Sequence, residues 1–358
     1  MDISNLEKVL ENEPKYRLNQ AREAVLKNFI SNWSEATFFT KELRDKLNQE
    51  CPLEIMADVL VSKKEDSVKA RITLSDGKQI ETVLMRHRDG RNTVCVSCQV
   101  GCPLGCLFCA TGKMGLTRSL TANEIIEQVI FFSRYLKDQK IQNSNSSRPY
   151  AIRFEEEEGT RVTNVTFMGM GEPFLNYESV WKAVETFNDY KYFNIGVRSI
   201  SISTSGIIEG IERLSKEPLH VNLAISLHAP NDKLRRELMP IDQKYPLEEV
   251  LKAVDRYIEK TNRKVMFEYV LIKNVNDSDE NARELCKIMN KKLYFVNLIL
   301  YNDTQSAGSG QAVIYKASET KRVEAFRAIL EKEKIRYTQR YRFGDDISAA
   351  CGQFTTKK

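Results

Sequence analysis

The chain has 358 residues, of which 42% are hydrophobic and 29% are charged, and its formal net charge is +5. This apolar content suffices for one large domain with an accessory one, and together with the mixed charges it excludes a disordered chain. The small positive excess permits a polyanionic partner without requiring one, since an ordinary, slightly basic enzyme has the same balance.

The N-terminal region predicts helices and no targeting segment. Met1–Arg17 lacks the apolar core of a signal peptide, and no stretch of the chain approaches the ~18 apolar residues of a membrane span. We therefore expect a cytoplasmic protein that does not contact a membrane. Across residues 3–49, apolar side chains recur at helical spacing, as Leu6, Val9 and Leu10 do.

A β-hairpin is predicted after these helices. From about Ile55 to Met85 the apolar residues alternate with polar ones, which is typical of strands. Two such strands, Val68–Leu74 and Gln79–Leu84, flank the turn residues Ser75–Lys78, which include an Asp-Gly pair. We assign residues 1–85 to a small N-terminal α+β accessory domain.

After residue 85, short apolar strands alternate with longer amphipathic helices. The predicted strands are Thr93–Cys98, Val162–Met168, Arg198–Ser203, Val221–Leu227, Lys264–Ile272, Phe295–Tyr301 and Tyr337–Arg342. The predicted helices between them include Thr121–Leu136, Leu247–Lys260 and Ser278–Met289. This alternation predicts a parallel sheet with helices outside it. Six or seven such units indicate an incomplete α/β barrel over residues 86–358, with its functional residues at the carboxyl ends of the strands.

The cysteines suggest a metal cluster. A cytoplasmic chain is not expected to use its eight cysteines as a structural disulfide framework, because the cytosol keeps thiols reduced. Cys102, Cys106 and Cys109 form a CxxxCxxC motif directly after the first barrel strand. Three thiolates so close together can bind a four-iron cubane and leave its fourth iron without a protein ligand. That iron can chelate the amino and carboxylate groups of S-adenosylmethionine (SAM).

A structural zinc site is the competing interpretation. Zinc needs four ligands, which usually come from two paired knuckles, and Cys95 or Cys98 would have to supply the fourth. Histidine ligands are scarce, since the chain contains only His87, His220 and His228. The three-then-two spacing, placed after a strand that opens a βα series, favours iron–sulfur over zinc.

Further motifs follow along the chain in a defined order. They are Val94–Gly112 (VCVSCQVGCPLGCLFCATG), Phe167–Pro173 (FMGMGEP), Ser201–Gly206 (SISTSG), Ala224–Ala229 (AISLHA), Val296–Asn302 (VNLILYN) and Gly344–Gln353 (GDDISAACGQ). In these motifs, and from about Tyr16 to Phe354, the chain resembles the radical SAM adenine methyltransferases of 23S rRNA, the RlmN/Cfr family, and is closer to the RlmN type. The resemblance implies an incomplete (β/α)6-type radical SAM barrel.

The resemblance also implies a role for each motif residue. The metal ligands would be Cys102, Cys106 and Cys109, which would hold a 4Fe-4S cluster. The SAM-binding residues would be Gly171, Glu172 and Pro173 at the methionine amine, and Ser203, Ser226 and Asn302 at the rest of the molecule. The catalytic residues would be Cys351, which carries the methyl group, Cys95, which is the second catalytic cysteine, and Glu81, which is the acid–base carboxylate.

The implied chemistry explains why cysteines are needed. The C2 and C8 carbons of adenine are poor nucleophiles, so an ordinary electrophilic methyl transfer fails and a radical route is required. By the resemblance, one SAM methylates Cys351 and a second SAM yields a radical that activates this methyl group for addition to adenine. Cys95 then attacks the Cys351 sulfur, as in thiol–disulfide exchange, while Glu81 manages the ring proton. An electron donor such as flavodoxin or ferredoxin would supply the electron.

The same residues have plainer interpretations. Taken alone, Cys351 is an inert thiol near a C-terminus, and Glu81 on an alternating strand faces solvent. His228 ends a strand and either lines the pocket or completes a hydrogen-bond network. The chain also departs from the family at Cys98, where serine is expected, at Asp303, where many members have proline, and in a polar insertion across residues 142–160.

RNA contact is expected from basic and aromatic side chains, because a target base must leave its stack to reach a buried radical. The candidate contacts are Lys113 and Arg118, Arg235 and Arg236, Arg336, Arg340 and Arg342, with Tyr337, Tyr341 and Phe343 among them, and Lys15, Arg17, Arg22 and Lys27 in the accessory domain. The alternative for the group near Cys351 is a final strand with one solvated face. We expect the protein to act as a monomer.

The leading hypothesis is therefore C2 methylation of an adenine in 23S rRNA, at the peptidyl-transferase centre, with tRNA as a second candidate substrate. Within the family the alternative is C8 methylation of the same adenine, which gives antibiotic resistance. Glu172-Pro173 favours the C2 branch, whereas Glu13–Gln20 is closer to the C8 branch. A non-catalytic zinc or RNA-binding protein is the distant alternative.

Overall fold

A computed structural model describes residues 1, 3, 5–144, 160–302 and 315–354. Its strands are β1 (Met56–Val61), β2 (Ser67–Thr73), β3 (Gln79–Arg86), β4 (Asn92–Cys95), β5 (Gln99–Cys102), β6 (Gly115–Ser119), β7 (Asn164–Phe167), β8 (Ile200–Thr204), β9 (Asn222–Ser226), β10 (Val265–Leu271), β11 (Tyr294–Leu300) and β12 (Tyr337–Gln339). Its helices are α1 (Leu6–Val9), α2 (Lys15–Leu26), α3 (Lys41–Glu50), α4 (Ala122–Ser144), α5 (Tyr177–Asn188), α6 (Ile208–Leu214), α7 (Asp232–Leu238), α8 (Leu247–Thr261), α9 (Asp279–Met289) and α10 (Thr320–Lys332).

One ten-stranded sheet organises the fold. Its strand order is β1-β2-β3-β4-β7-β8-β9-β10-β11-β12. The strands pair antiparallel from β1 to β4 and parallel from β4 to β12. Since β1 and β12 are the two edges, the described residues form an open sheet and no closed barrel. The predicted incomplete α/β barrel is confirmed.

The predicted hairpin belongs to this same sheet. β2 and β3 pair as predicted, and β3 continues directly onto the first barrel strand through pairs such as Val83 with Cys95. The hairpin therefore extends the barrel sheet, and it places Glu81 of β3 beside the strand that carries Cys95. The domain boundary at residue 85 stays a prediction.

The sequence of α8 explains which face of this outer helix is buried and where the helix ends. In α8 the residues Val250, Ala253, Val254 and Tyr257 are buried at helical spacing, so that one face packs on the sheet. Asn262 then adopts a left-handed conformation with φ of 49°, which ends α8. These ends agree with the sequence prediction to within one or two residues.

The first barrel strand is shorter than predicted. It ends at Cys95, and the chain then turns into a two-stranded antiparallel ribbon, β5–β6, which the sequence did not predict. Gly101 of this ribbon has φ of +78°, and a Cβ atom there would lie 1.9 Å from the carbonyl oxygen of Gly115. Only glycine fits this close approach, which holds together the two ends of the segment that bears the CxxxCxxC motif.

Of the predicted polar insertion, residues 145–159 lie outside the described residues. Within the described part of the chain, none of the helices combines the length and the apolar character needed to cross a bilayer.

Candidate active site

A cleft opens at the carboxyl ends of the parallel strands, where the fold predicts a site. It encloses about 1020 Å³ of empty space, its mouth included. The predicted site residues that line it are Cys102, Cys106, Cys109, Gly171, Glu172, Ser203, Ser226, Asn302 and Cys351. Three predicted residues, Glu81, Cys95 and Pro173, are not among its lining residues. The tertiary structure therefore brings together motifs from six separate parts of the chain.

The three motif cysteines form one wall of the cleft. Burial is the main cause of the raised pKa of each of these thiols, and it raises the pKa of Cys102 to about 12. The neighbouring thiols raise the pKa of Cys106 further. Thiols in such surroundings ionise when a cation binds them. Within the described residues, no three His, Cys, Asp or Glu side chains are arranged to hold one metal ion. Three cysteines without a fourth ligand fit the protein's share of a 4Fe-4S cluster with one open iron.

Glu172 is a buried carboxylate at the end of β7. Its oxygens accept hydrogen bonds from the backbone N–H groups of Ser205 at 2.8 Å and Phe174 at 3.1 Å. Burial nevertheless raises the pKa of this carboxyl, because those bonds only partly replace its hydration. Pro173 begins the helical turn that follows and so fixes the chain direction after Glu172. A cationic ligand in the cleft would supply the missing countercharge.

The glycine before Glu172 is required by a close approach. Gly171 has φ of +103°, and a Cβ atom there would lie 2.6 Å from Cβ of Gln99. The Gln99 side chain in turn accepts the N–H of Glu172 at 2.9 Å. The ribbon that leads into the cysteine motif and the loop after β7 that carries the carboxylate are thus joined directly.

His228 is a neutral residue of the cleft wall. Its Nδ1 accepts the N–H of Val270 at 3.1 Å, and its ring packs edge-on against Phe108. Burial lowers the pKa of His228 to about 3, so the ring carries no charge near neutral pH. Both sequence interpretations hold, since His228 lines the cleft and also completes a hydrogen-bond network.

Cys351 reaches the cleft from the C-terminal segment. The next residue, Gly352, accepts a hydrogen bond from the N–H of Ala110 at 2.8 Å, directly after the last motif cysteine. Asn302 donates its Nδ2 to the carbonyl oxygen of Cys351 at 3.3 Å. These bonds dock the segment against the cysteine-bearing loop and the end of β11, so that the thiol of Cys351 faces the predicted cofactor site.

Cys95 lies on the far side of Cys351. The two cysteines line a second, smaller pocket, which shares Asn302 and Arg340 with the main cleft. Burial, and secondarily the charge of Cys351, raises the pKa of Cys95 to about 12. All eight cysteines lie within the described residues, and all are free thiols. The two cysteines are therefore neighbours that are not joined by a disulfide in this structure.

Glu81 is buried, contrary to the solvent-facing interpretation of its strand. The side chain of Glu81 is 5% exposed, and its Oε1 lies 3.2 Å from Nζ of Lys69. Thr82, the next residue, donates its hydroxyl to the carbonyl oxygen of Cys95 at 2.8 Å. The alternation expected for a hairpin with one solvated face fails because the barrel and the C-terminal segment cover β3.

Two cleft residues were not assigned to this site from the sequence, namely Glu268, which no prediction named, and Arg340, which was predicted only as an RNA contact. Arg340 follows β12. Three nearby acidic groups raise the pKa of its guanidinium, of which Cys351 has the largest effect and Glu268 and Cys95 have smaller ones. Glu268 lies within β10, and Asn297 donates to one of its oxygens at 2.8 Å, while the other has no hydrogen-bond partner. An acidic residue in the apolar strand Val265–Leu271 was the available signal for Glu268.

One predicted RNA contact is wrong. Arg235 is fully buried, pairs with Asp242 at 2.8 Å and donates to the carbonyl oxygen of Ser205 at 2.5 Å. It therefore supports the loop after β8 from inside the fold and cannot reach a nucleic acid. Its neighbour Arg236 is about half exposed and stays a candidate.

Removing the partner of Arg235 will destabilise the fold. Asp242→Asn leaves a buried guanidinium without its counter-ion, so the free energy of unfolding will fall by about 3–5 kcal/mol, measured by urea denaturation of the reconstituted protein. The matched control is Glu212→Gln, which removes the partner of Arg256 in an exposed ion pair and will change the free energy by less than about 1 kcal/mol. Equal effects of the two substitutions would contradict this account.

Comparison with known proteins agrees with this site. A sequence model of the Radical SAM superfamily matches residues 145–286. The crystal structure of a radical SAM methyltransferase from Sphaerobacter thermophilus superposes with a TM-score of 0.87 at 40% identity, covering 100% of this chain and 98% of the other. The fold and the site thus define a radical SAM enzyme.

Curated relatives specify the family. A probable dual-specificity RNA methyltransferase RlmN from Dictyoglomus thermophilum is 41% identical over 354 residues, covering 98% of this chain and 94% of the relative. One of the same description from Chloroflexus aurantiacus is 40% identical and covers 98% of this chain and 90% of the relative. The chain belongs to the RlmN family of radical SAM RNA methyltransferases.

Proposed function

We propose that the protein methylates C2 of an adenine in RNA through a methylated Cys351. The substrate is 23S rRNA, with tRNA as a second substrate, and two SAM molecules are used in each turnover. The observation that carries the proposal is the position of Cys351 between two pockets. On one side it faces the three motif cysteines, and on the other it shares a pocket with Cys95.

The main cleft fits the cofactors that the Radical SAM superfamily implies. Cys102, Cys106 and Cys109 would hold the 4Fe-4S cluster, and reductive cleavage of SAM there supplies a 5′-deoxyadenosyl radical. The buried carboxylate of Glu172 binds the methionine ammonium, which neutralises its charge. Ser203, Ser226 and Asn302 would contact the remainder of SAM, and Oε1 of Glu268, which has no hydrogen-bond partner in the same cleft, also suits a polar ligand.

The chain's own residues carry the methyl group. The thiolate of Cys351 attacks the methyl group of the first SAM, becomes a thioether and releases S-adenosylhomocysteine. The hydrogen bond between Gly352 and the cysteine-bearing loop holds Cys351 at the main cleft, where the second SAM would bind. The radical from the second SAM would take one hydrogen atom from the Cys351 methyl group and leave as 5′-deoxyadenosine, and the resulting carbon radical adds to adenine. The adduct gives up one electron, which the cluster would take back. Cys95 then attacks the Cys351 sulfur, the electron pair of the carbon–sulfur bond goes to the carbon, which takes up a proton, and the disulfide that forms is reduced by an external thiol before the next turnover. Glu81 accepts the ring proton.

The proposed function also requires an electron donor and a surface that contacts RNA. Flavodoxin or ferredoxin supplies the electron, and the enzyme acts as a cytoplasmic monomer. The exposed Arg236, Arg336 and Tyr341 stay candidates for RNA contact.

Nucleoside mass spectrometry tests the proposal. Anaerobically reconstituted enzyme, a reductant and methyl-deuterated SAM are incubated with a 23S rRNA fragment, or with tRNA, and the RNA is digested. The expected product is 2-methyladenosine whose methyl group holds two deuterium atoms, because one hydrogen is abstracted from the Cys351 methyl group. Formation of 8-methyladenosine would overturn the C2 assignment, and three retained deuterium atoms would overturn the Cys351 route.

A further inference from the structure

One buried lysine contacts both the predicted acid–base residue and the segment that carries Cys351. Nζ of Lys69 lies 3.2 Å from Oε1 of Glu81 and donates to the carbonyl oxygen of Ser348 at 3.2 Å. The Lys69 side chain is only 10% exposed. No motif of the sequence singles out this lysine, and the site described above does not use it.

The strand register explains the contact with Glu81. Lys69 pairs with Val83, and Arg71 pairs with Glu81, so Lys69 and Glu81 are diagonal neighbours on the same face of the hairpin. Arg71, although directly opposite Glu81, turns away and pairs with Asp58 of β1 at 2.8 Å. Lys69 therefore provides the cation on the Glu81 carboxylate.

The second contact lies three residues before the methyl-carrying cysteine. Ser348 has a left-handed backbone with φ of 51°, at the turn from which the chain continues to Cys351. Elsewhere on this turn, the Asp346 carboxylate accepts the N–H of Lys63 at 2.8 Å. The hairpin β1–β2 thus holds the turn at two points, and only the contact through Lys69 is shared with Glu81.

Burial makes these two contacts interdependent. An ammonium group inside a protein is unfavourable unless hydrogen bonds and a counter-ion replace its hydration. When the C-terminal segment leaves, Lys69 loses the Ser348 carbonyl oxygen but keeps Glu81, and the ammonium is no longer held in one position. When the segment docks, both groups are fixed in one geometry.

We propose that Lys69 is a positioning residue for the methyl transfer, because one ammonium group fixes the Glu81 carboxylate and the Cys351 segment relative to each other. Its consequence for catalysis rests on the proposed function. The methyl-carrying thiol and the acid–base group are then assembled in the same docking event, before RNA arrives.

Two measurements on the reconstituted holoenzyme test this role. The first is the alkylation rate of Cys351 by iodoacetamide, followed by peptide mass spectrometry, with the buried Cys286 of α9 as internal reference. The second is adenine methylation under single-turnover conditions. Lys69→Met will raise Cys351 alkylation about tenfold, because the segment undocks, and will slow adenine methylation about 10- to 100-fold.

Companion variants separate positioning from loss of the fold. Lys69→Arg keeps a cation on both acceptors and will restore at least about half of both wild-type values. Arg71→Met removes a charge from the same strand without touching either acceptor, and will stay within about twofold of wild type. Glu81→Gln leaves the buried Lys69 ammonium without its counter-ion but keeps its bond to the Ser348 carbonyl oxygen. Methylation will therefore fall, and Cys351 alkylation will rise less than in Lys69→Met.

The outcomes distinguish this inference from the proposed function. Wild-type rates of alkylation and methylation in Lys69→Met would overturn the positioning role and leave the methyltransferase assignment intact. Faster Cys351 alkylation in Lys69→Met, with no methyladenosine from any variant including wild type, would keep the positioning role and overturn the proposed function. If Lys69→Met does not fold, Lys69→Arg decides, since it keeps a cation on both acceptors, and Cys351 alkylation about tenfold faster than in wild type would contradict docking through Lys69.

Discussion

Replacing Cys351 with alanine will reduce adenine methylation by at least about 10⁴-fold, because no other group in the cleft can carry the methyl carbon. The cluster ligands and the SAM-binding residues are untouched, so reconstituted Cys351→Ala protein will keep its iron content. With a reductant it will still release 5′-deoxyadenosine from SAM. Iron analysis, 5′-deoxyadenosine chromatography and nucleoside mass spectrometry measure the three quantities on one sample.

The matched control for this variant is Cys286→Ala. Cys286 is buried in α9, away from the residues that line the cleft, and its replacement will leave methylation within about twofold of wild type. Turnover retained by Cys351→Ala would mean that SAM, and not the protein, delivers the methyl group directly.

Replacing Cys95 with alanine will trap RNA on the protein. Cys95 shares a pocket with Cys351, whereas the nearby Cys98 lines neither pocket and directs its Sγ to the carbonyl oxygen of Met170 at 3.6 Å. Without the attacking thiol of Cys95, the bond between the Cys351 sulfur and the transferred carbon cannot break by disulfide formation. Cys95→Ala will therefore accumulate up to one RNA adduct per protein, and multiple turnover will fall by about 10³-fold.

A denaturing gel followed by nuclease digestion and peptide mass spectrometry detects this adduct on the Cys351 peptide. Cys98→Ser is the control, since serine keeps a donor for the Met170 carbonyl oxygen, and it will form no more adduct than wild type. An adduct in Cys98→Ser and none in Cys95→Ala would exchange the roles of these two cysteines.

The fold was predictable wherever the local pattern and the tertiary environment agree. The βα rhythm after residue 85 predicted the seven parallel strands of the described residues, because short runs rich in β-branched and apolar residues recur between amphipathic helices. The β5–β6 ribbon was missed, since Gln99–Cys102 and Gly115–Ser119 are short and too irregular to show a period. The burial of Glu81 was missed for a related reason. Alternation predicts that a strand has two different faces, but it does not show what covers each face.

The candidate site, like the fold, was predictable from the sequence only where the residues concerned are close together along the chain. The spacing of Cys102, Cys106 and Cys109 by itself predicted a cluster-binding loop and determined that the three thiols are neighbours, since residues so close in sequence are close in any fold. Likewise, Glu172 could be recognised from the local motif around it.

Only the tertiary structure decided which distant groups meet. It placed Cys95 beside Cys351, connected Lys69 to both Glu81 and Ser348, and buried Arg235 in an ion pair where the sequence had suggested an RNA contact. A charged residue has the same sequence signature on a surface and in a buried pair. The difference lies in desolvation and in partners brought from far along the chain, which only the packed sheet specifies.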